Sequence, residues 1–142
     1  MAQHKAVVKQ IQGISMVGKA DSNHWIAMDG PENFGGNNAG TRPKELILIG
    51  LAGCTAADVI SILEKKRIKL ADFEIQISAE SAESHPKVFT KIHLEFVITG
   101  KDIKETDVQR AIELSQTTYC SVTAMLQKSV EITHSYTIKE EK

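Results

Sequence analysis

Pro43-Lys-Glu-Leu-Ile-Leu-Ile-Gly-Leu-Ala-Gly-Cys-Thr-Ala-Ala-Asp-Val-Ile-Ser-Ile-Leu63 is a long, mostly apolar stretch, and its reading decides the fold. Pro43 has the fixed φ of a first helical residue, and Thr41 stands nearby as a capping candidate. Lys65-Lys66-Arg67 follow where a helix dipole favours cations. The stretch therefore reads as one helix to about Lys66, about 36 Å long at 1.5 Å per residue. Its apolar part, Leu46 to Leu63, falls a little short of the roughly 20 residues a bilayer requires, and it carries Thr55, Asp58 and Ser61. A central helix buried within a soluble core is the expectation. Gly50, Ala52, Gly53, Ala56 and Ala57 keep one side slim enough for another backbone to approach.

On its N-terminal side, residues 5–11, 14–19 and 23–29 are short runs of β-type residues. Gly13 and Asp21-Ser22-Asn23 separate them, which predicts a three-stranded meander. Asp29-Gly30-Pro31 and Gly35-Gly36-Asn37-Asn38-Ala39-Gly40 have turn chemistry. The second segment lacks the Lys and hydroxyl of a phosphate cradle, and reads as a connector rather than a substrate gate. On the C-terminal side, residues 73–78 and 89–98 alternate as two strands around a polar turn, Ala82 to Pro86, forming a hairpin. Thr106 and Gln109 have capping-box spacing and open a helix whose apolar face is Val108, Ala111, Ile112 and Ser115. Thr117-Thr118-Tyr119 reads as a break that caps a short helix carrying Val122, Met125 and Leu126. Residues 130–138 alternate as a final strand. The sum is a single α+β domain over residues 1–142: N-terminal β-meander, long central helix, β-hairpin, two late helices and a final strand, without βαβ repetition.

A length of 142 residues suits one domain with a sizeable core. The net charge of −1 argues against a nucleic-acid partner or an anionic membrane, since phosphate binding needs clustered Lys and Arg. Residues 1–13 alternate polar and apolar without a secretory pattern, so a cytosolic location is expected. In that reducing compartment a disulfide would be transient and catalytic or redox-sensing, not structural.

Cys54 and Cys120 are the only cysteines. Cys54 is mid-helix and gains little from the dipole. Asp58, one turn on and about 40° away, disfavours its thiolate. If Thr118 or Tyr119 caps the last helix, Cys120 lies in its first turn, where unpaired amides stabilise a thiolate. By position alone Cys120 is the more acidic, and a dithiol pair and two independent core cysteines both stay open. No metal ligand set is recognisable: there is no CxxC or HxxxH, and five histidines are scattered. His134 shares a strand face with Ile132, Tyr136 and Ile138 and reads as a satisfied core histidine. His93 alternates outward with Lys91 and Glu95. No Ser-His-Asp arrangement is recognisable.

The run from Pro43 to Cys54, with Asp58-Val-Ile-Ser-Ile-Leu behind it and Tyr119-Cys120-Ser-Val later, resembles the OsmC/Ohr family over the whole chain, and within it the YhfA-type branch. The resemblance implies an OsmC-like fold and an intertwined homodimer with two active sites at the subunit interface. It implies a thiol peroxidase acting on organic hydroperoxides without a cofactor. Cys54 would be the peroxidatic thiol, oxidised to a sulfenic acid. Cys120 would resolve it to a disulfide, which a dithiol reductant reopens. The family's peroxidases also use a Glu and an Arg to activate the first thiol. Their Glu stands ten residues before the first Cys, where this chain has Lys44. Glu45 is the candidate carboxylate, although nine residues along a regular helix lead to the opposite face. No Arg precedes Arg42. Two other readings accompany this one: a non-enzymatic OsmC-like protein that binds a small apolar ligand at the dimer interface, or a redox sensor.

Overall fold

The computed structural model describes residues 1–142. The chain divides into two units, Met1–Leu48 and Ile49–Lys142. In the first, β1 (Ala6–Gln12), β2 (Ser15–Ala20) and β3 (Ile26–Met28) form the expected antiparallel meander in that order. Gly13, at φ 58°, takes the left-handed position of the tight β1–β2 turn, which glycine adopts without steric cost. Every residue of β1 is exposed, Val7, Val8 and Ile11 included. The buried polar residue here is Asp29. Its carboxylate accepts hydrogen bonds from Ser15 Oγ and from the amides of Gly30, Asn37 and Ala39, so the glycine-rich connector wraps around a fixed anion.

The long helix, α1, runs Pro43–Lys65, and the boundary between the units falls within it. An 18-residue window of α1 is apolar enough to cross a bilayer. Its buried residues, however, are Leu51, Thr55, Val59 and Leu63, one every four positions. That single stripe is the pattern of a helix packed on a protein core. Full burial of Leu51, Val59 and Leu63 contributes about 1.5–3 kcal/mol each.

In the second unit, β4 (Leu70–Ser81) and β5 (Phe89–Gly100) form the expected hairpin, with β4 longer at both ends than the clean alternation suggests and β5 longer at its C-terminal end. β6 (Glu131–Glu140) pairs with β5 in parallel, giving sheet order β4-β5-β6. A parallel neighbour requires a crossover. It is supplied by α2 (Glu105–Leu114), a π-helical turn (Ser115–Tyr119) and α3 (Ser121–Leu126), a single βαβ unit. Ile92, Leu94, Phe96 and Ile98 of β5, with Val108, Ala111 and Ile112 of α2, complete the core.

Three local expectations are corrected. The Thr106–Gln109 capping box does not form: α2 begins at Glu105 behind Lys104, with no side-chain cap. Gln109 instead donates to the Tyr136 hydroxyl, which donates to Glu105. Glu105 and Asp107 in the first turn complement the dipole there. Thr117–Tyr119 does not break the chain into a new helix; it continues α2 as a π turn, closed by the Cys120 amide on Ser115 O at 2.8 Å. Finally, His134 is exposed, its ring edge-to-face with Phe96, because β6 is an edge strand with an open flank. The histidine with satisfied nitrogens is His93, bonded to Thr133 Oγ1 at 2.7 Å and Ser135 Oγ at 2.9 Å.

Candidate functional site

Cys54 sits on α1 beside the buried stripe and is half-buried; Cys120, between the π turn and α3, is 3% exposed. The fold brings them together. The two sulfurs and a carboxylate oxygen of Asp58 all lie within 4.8 Å of one another. Cys120 is itself the N-cap of α3, with φ −75° and ψ 104°, so it is not in the first turn as the sequence suggested. Its sulfur accepts the Thr123 amide at 3.4 Å, the role a Ser or Asn oxygen plays at an ordinary N-cap.

A polar ring encloses the pair. Thr55 Oγ1 lies 3.5 Å from the Cys120 sulfur and accepts from Gln116 Nε2 at 3.2 Å. The Gln116 carbonyl oxygen accepts from Thr123 Oγ1 at 3.4 Å. Ser115 Oγ donates to Asp58 Oδ2 at 2.8 Å. The π turn explains the arrangement. It adds one residue per turn relative to an α-helix, so Ser115, Gln116 and Cys120 all reach α1. Sequence reasoning named Cys54, Cys120 and Asp58 but missed Thr55, Ser115, Gln116 and Thr123. Thr55 gave one legible signal, a hydroxyl on the stripe defined by Leu51 and Val59; the others depend on the π turn, which no residue pattern announced.

The two thiols are inequivalent. Burial pushes the Cys54 thiol up, and its hydrogen bond to Cys120 adds to that; the Val122 amide and Ser121 only partly offset the rise. Burial also acts to raise Cys120, but donors from Thr123, Cys54 and Thr55 outweigh it and lower the thiol below its ordinary value. Of the two thiols, Cys120 is therefore the more acidic, as helix position alone suggested. Glu45, at the start of α1, is exposed and accepts the Arg42 amide at 2.8 Å. Arg42 Nη1 donates to Gly40 O at 3.2 Å. Beside Asp58 opens a cleft of 370 Å³ that Ile62, Leu114 and Tyr119 also line.

A family model described as OsmC-like protein matches residues 35–135. Protein YhfA of Escherichia coli K12 is 42% identical over 137 residues, covering 94% of this chain and 97% of the relative. The chain belongs to the OsmC family. Among solved structures, a hypothetical protein from Aquifex aeolicus VF5 is 27% identical with a TM-score of 0.87, covering 100% of both chains. A Legionella pneumophila protein described as the organic hydroperoxide resistance protein OsmC shares the fold at 16% identity and a TM-score of 0.71, covering 96% of this chain and 98% of its own. This OsmC-family chain therefore has the α+β fold expected of it, with two sheets and three helices.

Proposed function

We propose that this OsmC-family chain is a cytosolic thiol peroxidase for organic hydroperoxides, one domain over residues 1–142 that works as a homodimer. The observation that carries the reading is the approach of the Cys54 and Cys120 sulfurs within 4.8 Å. Two free thiols that close need little movement to bond. Fold neighbours described as organic hydroperoxide resistance proteins support the substrate class.

Cys54 is the better exposed sulfur and is assigned the attack on peroxide. Its thiolate takes the distal oxygen of ROOH, the O–O bond breaks, and the alkoxide leaves as ROH after taking a proton. The product is a Cys54 sulfenic acid. The Cys120 thiolate, favoured by its donors, attacks that sulfur and expels hydroxide, which leaves as water once protonated, giving the disulfide. A dithiol reductant restores both thiols by exchange. Glu45 is kept as the candidate carboxylate for the first step, although the unbroken helix α1 turns it to the face opposite Cys54 within one chain.

The direction of the thiol shifts favours a second reading in which Cys120 is the nucleophile. Intact mass separates the two. After one equivalent of cumene hydroperoxide the chain is expected to lose two hydrogens within seconds. Cys120→Ser should stop at a trappable sulfenic acid, and Cys54→Ser should not react. The reverse pattern exchanges the roles. A chain that stays dithiol sinks the peroxidase and leaves the non-enzymatic reading.

A further inference from the structure

The geometry points to a metal site: Cys54, Cys120 and Asp58 form a three-ligand pocket for a thiophilic divalent cation of the zinc type, exclusive with the Cys54–Cys120 disulfide. No sequence spacing announces it, because two ligands come from α1 and the third from the far end of the crossover. Their ligand atoms nevertheless lie within 4.8 Å of one another. Two sulfurs on a tetrahedral zinc, each bonded at about 2.3 Å, stand about 3.8 Å apart, so an inward movement of about 1 Å at most completes the set. Two thiolates and one carboxylate form a donor set suited to zinc, and harder cations that prefer all-oxygen ligands are poorly served.

Two further features fit a cation. Ser115 Oγ donates to Asp58 Oδ2 at 2.8 Å and so orients the carboxylate from outside, as outer-shell partners do in metal sites. The cleft lined by Asp58, Ser61, Leu114 and Tyr119 opens on the Asp58 side of the set, the side from which an ion would approach. Lys65 and Lys66 also line that cleft, and Lys66 is neutralised by Asp107 at 3.1 Å. Binding replaces the thiol protons, which go to buffer, and no electron moves. Coordination occupies one lone pair of the Cys54 sulfur and draws electron density from it, so the bound state reacts more slowly with peroxide. Binding itself is independent of the peroxidase reading; only this protection rests on it.

The test uses the reduced full-length protein titrated with cobalt(II) and then zinc, without peroxide. One cobalt per chain is expected, with a sulfur-to-cobalt charge-transfer band in the near ultraviolet that one equivalent of zinc abolishes. Cys54→Ser or Cys120→Ser should weaken zinc binding by at least about 100-fold, and Asp58→Asn by about tenfold, on the scale that disturbed metal shells show. Wild-type protein alkylated at both thiols is a control that needs no variant to fold, and it should bind no cobalt. Absence of the band, or unchanged zinc affinity in the alkylated protein or in Asp58→Asn, overturns the three-ligand site. Failure of the peroxidase reading would show separately, as dithiol mass persisting in metal-free protein after peroxide.

Discussion

At Thr55 one hydroxyl serves two partners, accepting from Gln116 and meeting the Cys120 sulfur. Thr55→Val keeps the branched shape on the buried stripe and removes both contacts. The stranded Gln116 donor should cost about 1–3 kcal/mol, read as a lower urea midpoint. Cys120 should also lose one of the donors that lower its thiol, so its alkylation profile should move to higher pH. An unchanged profile would show that Thr123 and Cys54 suffice. Glu45 offers a cleaner separation of charge from structure. Glu45→Gln retains an oxygen for the Arg42 amide, so melting should barely change while peroxide turnover falls at least about 100-fold, the low end for losing a positioned acid or base. Equal turnover would remove Glu45 from the reaction. The acidity of Cys120 was legible in the sequence because it depends on a helix end nearby. Its meeting with Cys54 was not, because that depends on a crossover whose direction no local pattern encodes.

The π turn and the Asp29 loop each set an element in place. Deleting Thr118 should regularise the turn to α-helix and rotate Cys120 away by about 100°. Helical circular dichroism should persist while peroxide-driven disulfide formation is lost. In the loop, burial acts to raise the Asp29 carboxyl, but hydrogen bonds from Ser15, Gly30, Ala39 and Asn37 outweigh it and hold the carboxyl below its ordinary value. Such a group stabilises the fold fully above its unfolded pKa, and the contribution is lost as pH falls through the folded one. Urea resistance should therefore drop below about pH 4. Asp29→Asn should flatten that drop and open residues 30–41 to proteolysis at neutral pH. At this scale the sequence was read well where periodicity speaks: β4, β5 and β6 alternate plainly, and α1 ends where its charges begin. It misled where a motif had two uses. Thr106 and Gln109 have capping-box spacing, yet Gln109 is taken by Tyr136.

Across the molecule, apolar surface is left open in an uneven way. Val8 is 57% exposed, Ile11 66% and Ile49 56%, and β1 has no buried residue on either face. Uncovered apolar strands of this kind ask for a partner surface. The homodimer proposed above would supply one. Light scattering should return twice the chain mass, and Val8→Asp should shift it toward the monomer; a wild-type monomer at micromolar concentration would remove the dimer. The alternation of β1 was visible from sequence, but its faces could not be told apart, since both are apolar in places. The parallel closure of β6 on β5 carries a further consequence, in time. Cys54 leaves the ribosome long before Cys120, and β6 follows both. The sulfurs can meet only after the crossover that carries Cys120 has been made and has folded against α1. A half-made chain therefore carries one ordinary thiol, Cys54, and paired reactivity arrives only once the crossover has been added.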